Sequence, residues 1–173
     1  MIIVFEGDRK TGKTTTATTL KYIIRNKSVF YMHSRNLFKY DFKNYEEVVF
    51  GNMLACVDNA RSIEASLDGE CLILFDRLHL SEAVFGKELR GYENKYVSVI
   101  DEELAKLNAK GILFTSETNT KRSKEVNRNE KFIMEMNKSK MKWGVVNLDE
   151  ENGFPSMNKL RFIINFCYGG LIV

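Results

Sequence analysis

The chain alternates short, uncharged apolar runs with longer stretches of helical period. Ile2-Ile3-Val4-Phe5, Val29 to Met32, Cys71 to Phe75, Gly111 to Thr115 and Val145 to Leu148 have strand length. The apolar character of the Ile2, Cys71 and Gly111 runs is continuous rather than alternating, the mark of strands covered on both faces of a parallel sheet. Between them the period changes to that of a helix. Lys13 to Arg25 carries an inward stripe of Ala17, Leu20, Ile23 and Ile24. Tyr45 to Leu67 forms a long helical stretch stopped by Asp68-Gly69. Helices are also predicted over Leu80–Phe85, Lys95–Leu107, Glu130–Met141 and Met157–Tyr168, and Ser116–Asn129 is polar and basic and reads as a mobile loop. Strands alternating with helices predict an α/β fold: a five-stranded parallel sheet with helices on both faces, in one domain spanning 1–173.

Composition narrows the class. With 173 residues, 44% of them hydrophobic and 28% charged, the chain can build one full core. A net charge of +3 does not demand a nucleic-acid partner. The longest apolar runs are too short to span a bilayer, and the first segment lacks a basic leader and runs straight into Glu6 and a glycine loop. Cys56, Cys71 and Cys167 are far apart without metal-type spacing, which reads as reduced thiols in a cytoplasmic protein.

The first strand runs into Gly7-Asp8-Arg9-Lys10-Thr11-Gly12-Lys13-Thr14, which opens a helix. This G-x4-G-K-T spacing in a strand–loop–helix context is a P-loop. Its glycines let backbone N–H groups curl around phosphates, and the helix start adds partial positive charge there. Lys13 can reach the β and γ phosphates, and the Thr14 hydroxyl can ligate Mg²⁺. Arg9 and Lys10 inside the loop are either solvated charges or cations that steady the transferring phosphoryl group.

The third strand ends in Asp76-Arg77. Ligands of open α/β sheets lie beyond the carboxyl ends of the strands, so Asp76 is placed to hold Mg²⁺, directly or through water, and Arg77 to clamp an acceptor phosphate. Transfer to a sugar hydroxyl calls for a carboxylate base, whereas an anionic phosphate acceptor calls for cations. The second strand leads to Arg35 with no adjacent carboxylate, and Arg90 follows Phe85-Gly86; with Arg77 they favour a nucleoside monophosphate. Phe50, on the long helix, is a candidate to stack on a base. His33 and His79 carry no functional reading. Lys121, Arg122, Lys124 and Arg128 make residues 117–129 a candidate lid, with Arg122 and Arg128 as its phosphate contacts.

These residues resemble the thymidylate kinase family, within the nucleoside monophosphate and deoxynucleoside kinases. Phe5-Glu6-Gly7 leading into Gly12-Lys13-Thr14-Thr15 is similar to that family's opening, and Lys10 to the basic residue some members carry in the loop. Asp76-Arg77, Ser81 and Phe85 resemble its D-R-x3-S-x3-Y pattern, Phe50 falls at its base-stacking position, and Arg128-x-Glu130 resembles the end of its lid. The resemblance implies ATP as donor, Mg²⁺, a homodimer, and dTMP or a related pyrimidine monophosphate as acceptor. The chain departs from the family at Arg9, where an acidic residue is usual. His33-Ser34-Arg35-Asn36 stands in place of an Arg-Glu-Pro-Gly stretch, Leu54 in place of a base-reading arginine, and Gly86 in place of a glutamine. Two other readings stay open: a deoxynucleoside kinase acting on a 5′-hydroxyl, and a P-loop module that binds nucleotide or nucleic-acid ends without catalysis.

Overall fold

The computed structural model describes residues 1–25, 27–33, 44–116, 128–147 and 156–168. Five strands, β1 (Ile2–Gly7), β2 (Ser28–His33), β3 (Cys71–Asp76), β4 (Lys110–Thr115) and β5 (Lys142–Asn147), form one sheet in the order β2-β3-β1-β4-β5. Every pairing is parallel. The predicted α/β architecture is therefore the one observed. Parallel neighbours cannot be joined by a tight turn, and helices make the crossovers: α1 (Lys13–Ile23), α2 (Tyr45–Ser66), α3 (His79–Phe85), α4 (Val97–Lys106) and α5 (Arg128–Lys138), while α6 (Met157–Tyr168) follows the last strand. A π-helical turn, Gly86–Arg90, directly continues α3.

Alternation along the central strands sends side chains to two cores. Ile2, Val4, Ile73 and Phe75 pack on one face against Val49, Met53, Val57 and Ala60 of α2 and Ile100 and Leu104 of α4. Ile3, Phe5, Leu72 and Leu74 pack on the other against Ala17 and Leu20 of α1 and Leu160, Ile163 and Cys167 of α6. Each fully buried side chain of this size contributes about 1.5–3 kcal/mol, which explains why β1 and β3 hold no exposed residue.

Among the boundaries that differ from the sequence reading, two follow from visible contacts or fall in the basic stretch. The last strand begins at Lys142 rather than Val145, because Trp143 lies opposite Gly111 of β4. A Cβ on Gly111 would stand 2.2 Å from that indole, so glycine makes the room. Helix α5 begins at Arg128, within the stretch read as loop.

The register aligns the carboxyl ends of the central strands. Phe5 lies opposite Asp76, His33 opposite Asp76, and Gly7 opposite Phe114. Gly7 has φ 129°, and a Cβ there would come within 2.1 Å of the Phe114 carbonyl oxygen. No side chain fits where β1 turns into the loop. Gly7→Ala is expected to lower stability by about 3 kcal/mol or more, the combined range of overpacking and forbidden backbone, as a shift of the urea midpoint at constant slope.

Candidate active site

The P-loop runs from the buried end of β1 to the first turn of α1. Lys10 and Gly12 adopt left-handed conformations, with φ 60° and 75°. The Lys13 side chain is almost wholly buried, at 4% exposure. Its ammonium folds back onto its own loop, donating to the Asp8 carbonyl and, at 2.9 Å, to the Thr11 hydroxyl. Burial, then the charge of Arg77, lowers its pKa from 10.5 to about 7 against the opposing pull of Asp76, Glu6 and Asp8. An ammonium so poorly solvated gains most when polyphosphate oxygens replace the carbonyl. Arg9 and Lys10 are exposed at the loop tip, and the Arg9 N–H donates to the Asp8 carboxylate at 2.7 Å. Thr15 lies in the first turn of α1, half-buried, its carbonyl accepting from Thr19.

The Thr14 hydroxyl donates to Asp76 Oδ2 at 2.5 Å. Sixty-two residues apart in sequence, these two oxygens are joined by the end of β3 and the start of α1. Hard divalent cations take oxygen ligands, and Mg²⁺ characteristically keeps waters and phosphate oxygens around one or two protein groups. The pair fits that demand. Among the described residues there is no cluster of three or more metal-ligating side chains. The same Asp76 oxygen accepts from the Tyr31 hydroxyl at 2.8 Å and lies 3.5 Å from His33 Nε2. Neither β2 residue stands out in the sequence, because their approach depends on sheet register.

Arg77 follows in a left-handed conformation, φ 70°, its N–H held by the Phe5 carbonyl at 2.8 Å. Such a conformation costs a non-glycine residue about 1–2 kcal/mol. It aims the guanidinium along α3, where Nη1 donates to Ser81 Oγ at 3.4 Å and the group stands 5.1 Å over the Phe85 ring. Burial lowers the Arg77 pKa, against the attraction of Glu6, Asp76 and Asp8.

Glu6 is the element that holds this corner. Wholly buried, it accepts from the N–H groups of Leu78, Leu80 and Ser81 at 2.8, 3.0 and 3.2 Å and from Ser81 Oγ at 2.5 Å. It thereby satisfies the orphan donors at the start of α3, at the end of the helix dipole where a carboxylate is favoured. Glu6→Gln puts an amide donor against these donors and is expected to cost about 2 kcal/mol, read by chemical denaturation.

The remaining sequence-chosen residues divide. Phe50 is half-buried and stacks on Tyr96, centroids 4.3 Å apart at 21°. Phe85 is buried between the two arginines Arg77 and Arg128, at 5.1 and 5.8 Å from its centroid. Arg90, expected at the acceptor phosphate, pairs with buried Glu82 at 2.5 Å and stands over the rings of Tyr45 and Tyr92. Tyr92 also donates to Glu82. The basic sign of Arg90 is visible in sequence, but its acidic partner one helical segment earlier is not. Arg128 is paired with Glu88 and lies 3.6 Å from Asp8. Arg35, Arg122 and the lid stretch 117–127 lie outside the described residues. His79 is buried and bound to Asp101 at 3.0 Å. Among the described residues no helix is long and apolar enough to cross a membrane.

The strand order, the P-loop after β1 and the Asp-Arg pair after β3 define the class: a P-loop α/β fold. Three solved structures share it over nearly their whole length. The YorR protein of Bacillus subtilis, solved in complex with phosphorylated GDP, matches with a TM-score of 0.61 at 16% identity, covering 98% of this chain and 96% of that one. Thymidylate kinase from Ehrlichia chaffeensis matches at 0.55 and 18% identity, covering 99% and 98%. Thymidylate kinase from Candida albicans matches at 0.56 and 12% identity, covering 98% and 92%. No family model and no curated protein sequence matches the chain. At these identities the likeness is one of fold.

Proposed function

We propose that the chain is an ATP-dependent nucleoside monophosphate kinase, moving the γ-phosphoryl group of Mg-ATP to a (deoxy)nucleoside 5′-monophosphate. The observation that carries this reading is the meeting of Lys13, the Thr14–Asp76 pair and Arg77 within one corner, at the carboxyl ends of β1 and β3. The loop amides and Lys13 bind the triphosphate. Thr14 and Asp76 would hold Mg²⁺, which when bound neutralises charge on the β and γ phosphates. Arg77 orients the acceptor phosphate. An acceptor phosphate oxygen then forms the new bond to the γ phosphorus as the bond to the bridging oxygen breaks and ADP leaves, with no covalent enzyme intermediate.

Among the described residues, the carboxylates of the corner favour a phosphate over a hydroxyl acceptor. A hydroxyl requires a base to take its proton. Glu6 accepts four hydrogen bonds from α3, Asp76 accepts from Thr14 and Tyr31, and Asp8 is engaged by Arg9 and Arg128. Each is committed to a donor. A phosphate acceptor is already anionic and needs cations, which Arg77 and its neighbours supply.

The fold's likeness to two thymidylate kinases supports dTMP or a related pyrimidine as first candidate, and the guanine nucleotide held by the YorR protein brings purines into the same screen. A homodimer is the assembly expected from the family resemblance. The test is a panel of common and modified nucleoside monophosphates, and their parent nucleosides, incubated with ATP and Mg²⁺ and resolved by ion-exchange chromatography. Diphosphate product from at least one monophosphate is expected. Turnover restricted to nucleosides would overturn the reading in favour of a deoxynucleoside kinase. ATP binding with no transfer to any acceptor would favour a binding module.

A further inference from the structure

Arg128 opens α5 and Lys131 lies in the same first turn. A helix start carries partial positive charge, and although Glu130 lies in the same turn, two cations there are better tolerated when a further acid answers them. Glu88, on the π-helical turn that continues α3, is such an acid. Its two oxygens accept from Arg128 Nε at 2.6 Å and Lys131 Nζ at 2.5 Å. Burial works to raise the Glu88 pKa, but the hydrogen bonds and charges of Lys131 and Arg128 outweigh it and hold the group below the usual carboxylate range. Glu88 is therefore ionised throughout the neutral range. Single π turns are frequent at functional sites.

The contact has a direction. Glu88 grips the flank of the Arg128 guanidinium, at Nε, while Nη1 of the same group lies 3.6 Å from Asp8 Oδ1 in the P-loop. The guanidinium carbon stands 5.8 Å from the centroid of Phe85, the ring that also carries Arg77. Arg77 and Arg128 thus share one buried aromatic, and Arg128 lies beside the phosphate loop that holds Lys13. Like charges assembled before an anionic ligand arrives repel one another, so each needs a fixed counter-charge. Lys13 and Arg77 feel Asp76, Glu6 and Asp8. Arg128, entering from α5, has Glu88.

We propose that Glu88 is the positioning residue for Arg128, holding its guanidinium beside the P-loop before nucleotide binds, so that the cation is in place for the transferring phosphoryl group. The catalytic consequence rests on the kinase reading; the placement itself does not. Preorganised charge requires no rearrangement at the moment of reaction.

Two readouts separate these levels. In the nucleotide-free protein, the Arg128 Nε–H proton followed by nitrogen-15 NMR should exchange slowly, and Glu88→Ala should return it to the fast exchange of a solvated arginine. Glu88→Ala should lower kcat about tenfold to a hundredfold, the usual cost of misplacing a catalytic group, with both KM values within about twofold. Glu88→Asp should recover part of the loss, and Glu88→Gln serves if the alanine variant folds poorly. In an Arg128→Ala background, Glu88→Ala should cost nothing further. Fast Arg128 Nε–H exchange in the unmodified protein, or the same fall in kcat in both backgrounds, would overturn the assignment. Slow exchange, lost in Glu88→Ala, in a protein that turns over no monophosphate would sustain the placement and overturn the kinase reading instead.

Discussion

Lys13→Met is expected to lower kcat by about three orders of magnitude, the upper range for removing one preorganised charge from a transferring group, while leaving the nucleotide-free protein as stable as before or more so. The first effect follows from the role of the ammonium at the β and γ phosphates. The second follows from its surroundings. Lys13 is nearly inaccessible to water, and its folded pKa of about 7 lies below the ordinary lysine value of 10.5. Between those two values the unfolded chain binds more protons than the folded one, so this group's contribution to stability grows as pH rises through that window and is lost as pH falls toward 7. Methionine keeps the apolar stem and removes the group that titrates. Its advantage over lysine in thermal denaturation should therefore be largest near pH 7 and vanish toward pH 10. A Lys13→Met variant with unchanged turnover, or a stability difference independent of pH, would count against this placement of Lys13.

The second large effect concerns Arg77. With φ 70°, its backbone suits glycine better than arginine. Arg77→Gly relieves about 1 kcal/mol of backbone strain, offset in part by loss of the contacts with Ser81 and Phe85. Stability should consequently change little. Catalytic efficiency toward the monophosphate should fall about a thousandfold, with KM for ATP changed by no more than a few-fold, because the guanidinium serves the acceptor. Arg77→Lys keeps the charge but loses the planar fork, and should retain an intermediate efficiency. Steady-state kinetics with each substrate varied in turn makes the separation. A parallel loss in ATP affinity would place Arg77 on the donor side.

Retention of arginine in a conformation that favours glycine matters for a further reason. Strain of this kind persists where surrounding structure over-determines it and is concentrated at functional positions. Here the determinants are the bond from Arg77 N–H to Phe5 and the anchoring of α3 by Glu6.

Much of this fold is legible in sequence because β1, β3 and β4 are buried on both faces and so are written as unbroken apolar runs. The P-loop is legible for a different reason: its chemistry is local, confined to eight residues at fixed spacing. Glu6 sits beside that motif, but its partners are at Leu78, Leu80 and Ser81. Only the sheet register, which lays Phe5 beside Asp76, brings them together. Tyr31 reaches Asp76 in the same way.

Arg90 shows the complementary limit. A sequence reports that a cation is present, but where it is held depends on which acid has been folded against it, as Glu82 is. Arg128 illustrates this at a helix boundary: a polar, basic stretch reads as a mobile loop and candidate lid, and α5 starts at Arg128 with Glu88 as a counter-charge. Strand β5 starts ahead of its apolar run because Trp143 fills the space left by the missing side chain of Gly111, on the neighbouring strand.

The most direct measurement is calorimetric titration of the protein with ATP at pH 8, in two buffers of different ionisation enthalpy. Burial holds the Lys13 pKa down at about 7 in the free protein, and triphosphate oxygens that replace the Asp8 carbonyl raise it. Net proton uptake on binding is expected, together with its loss in Lys13→Met. Absence of binding heat, or binding with the same proton balance in both proteins, would contradict a triphosphate held by this loop.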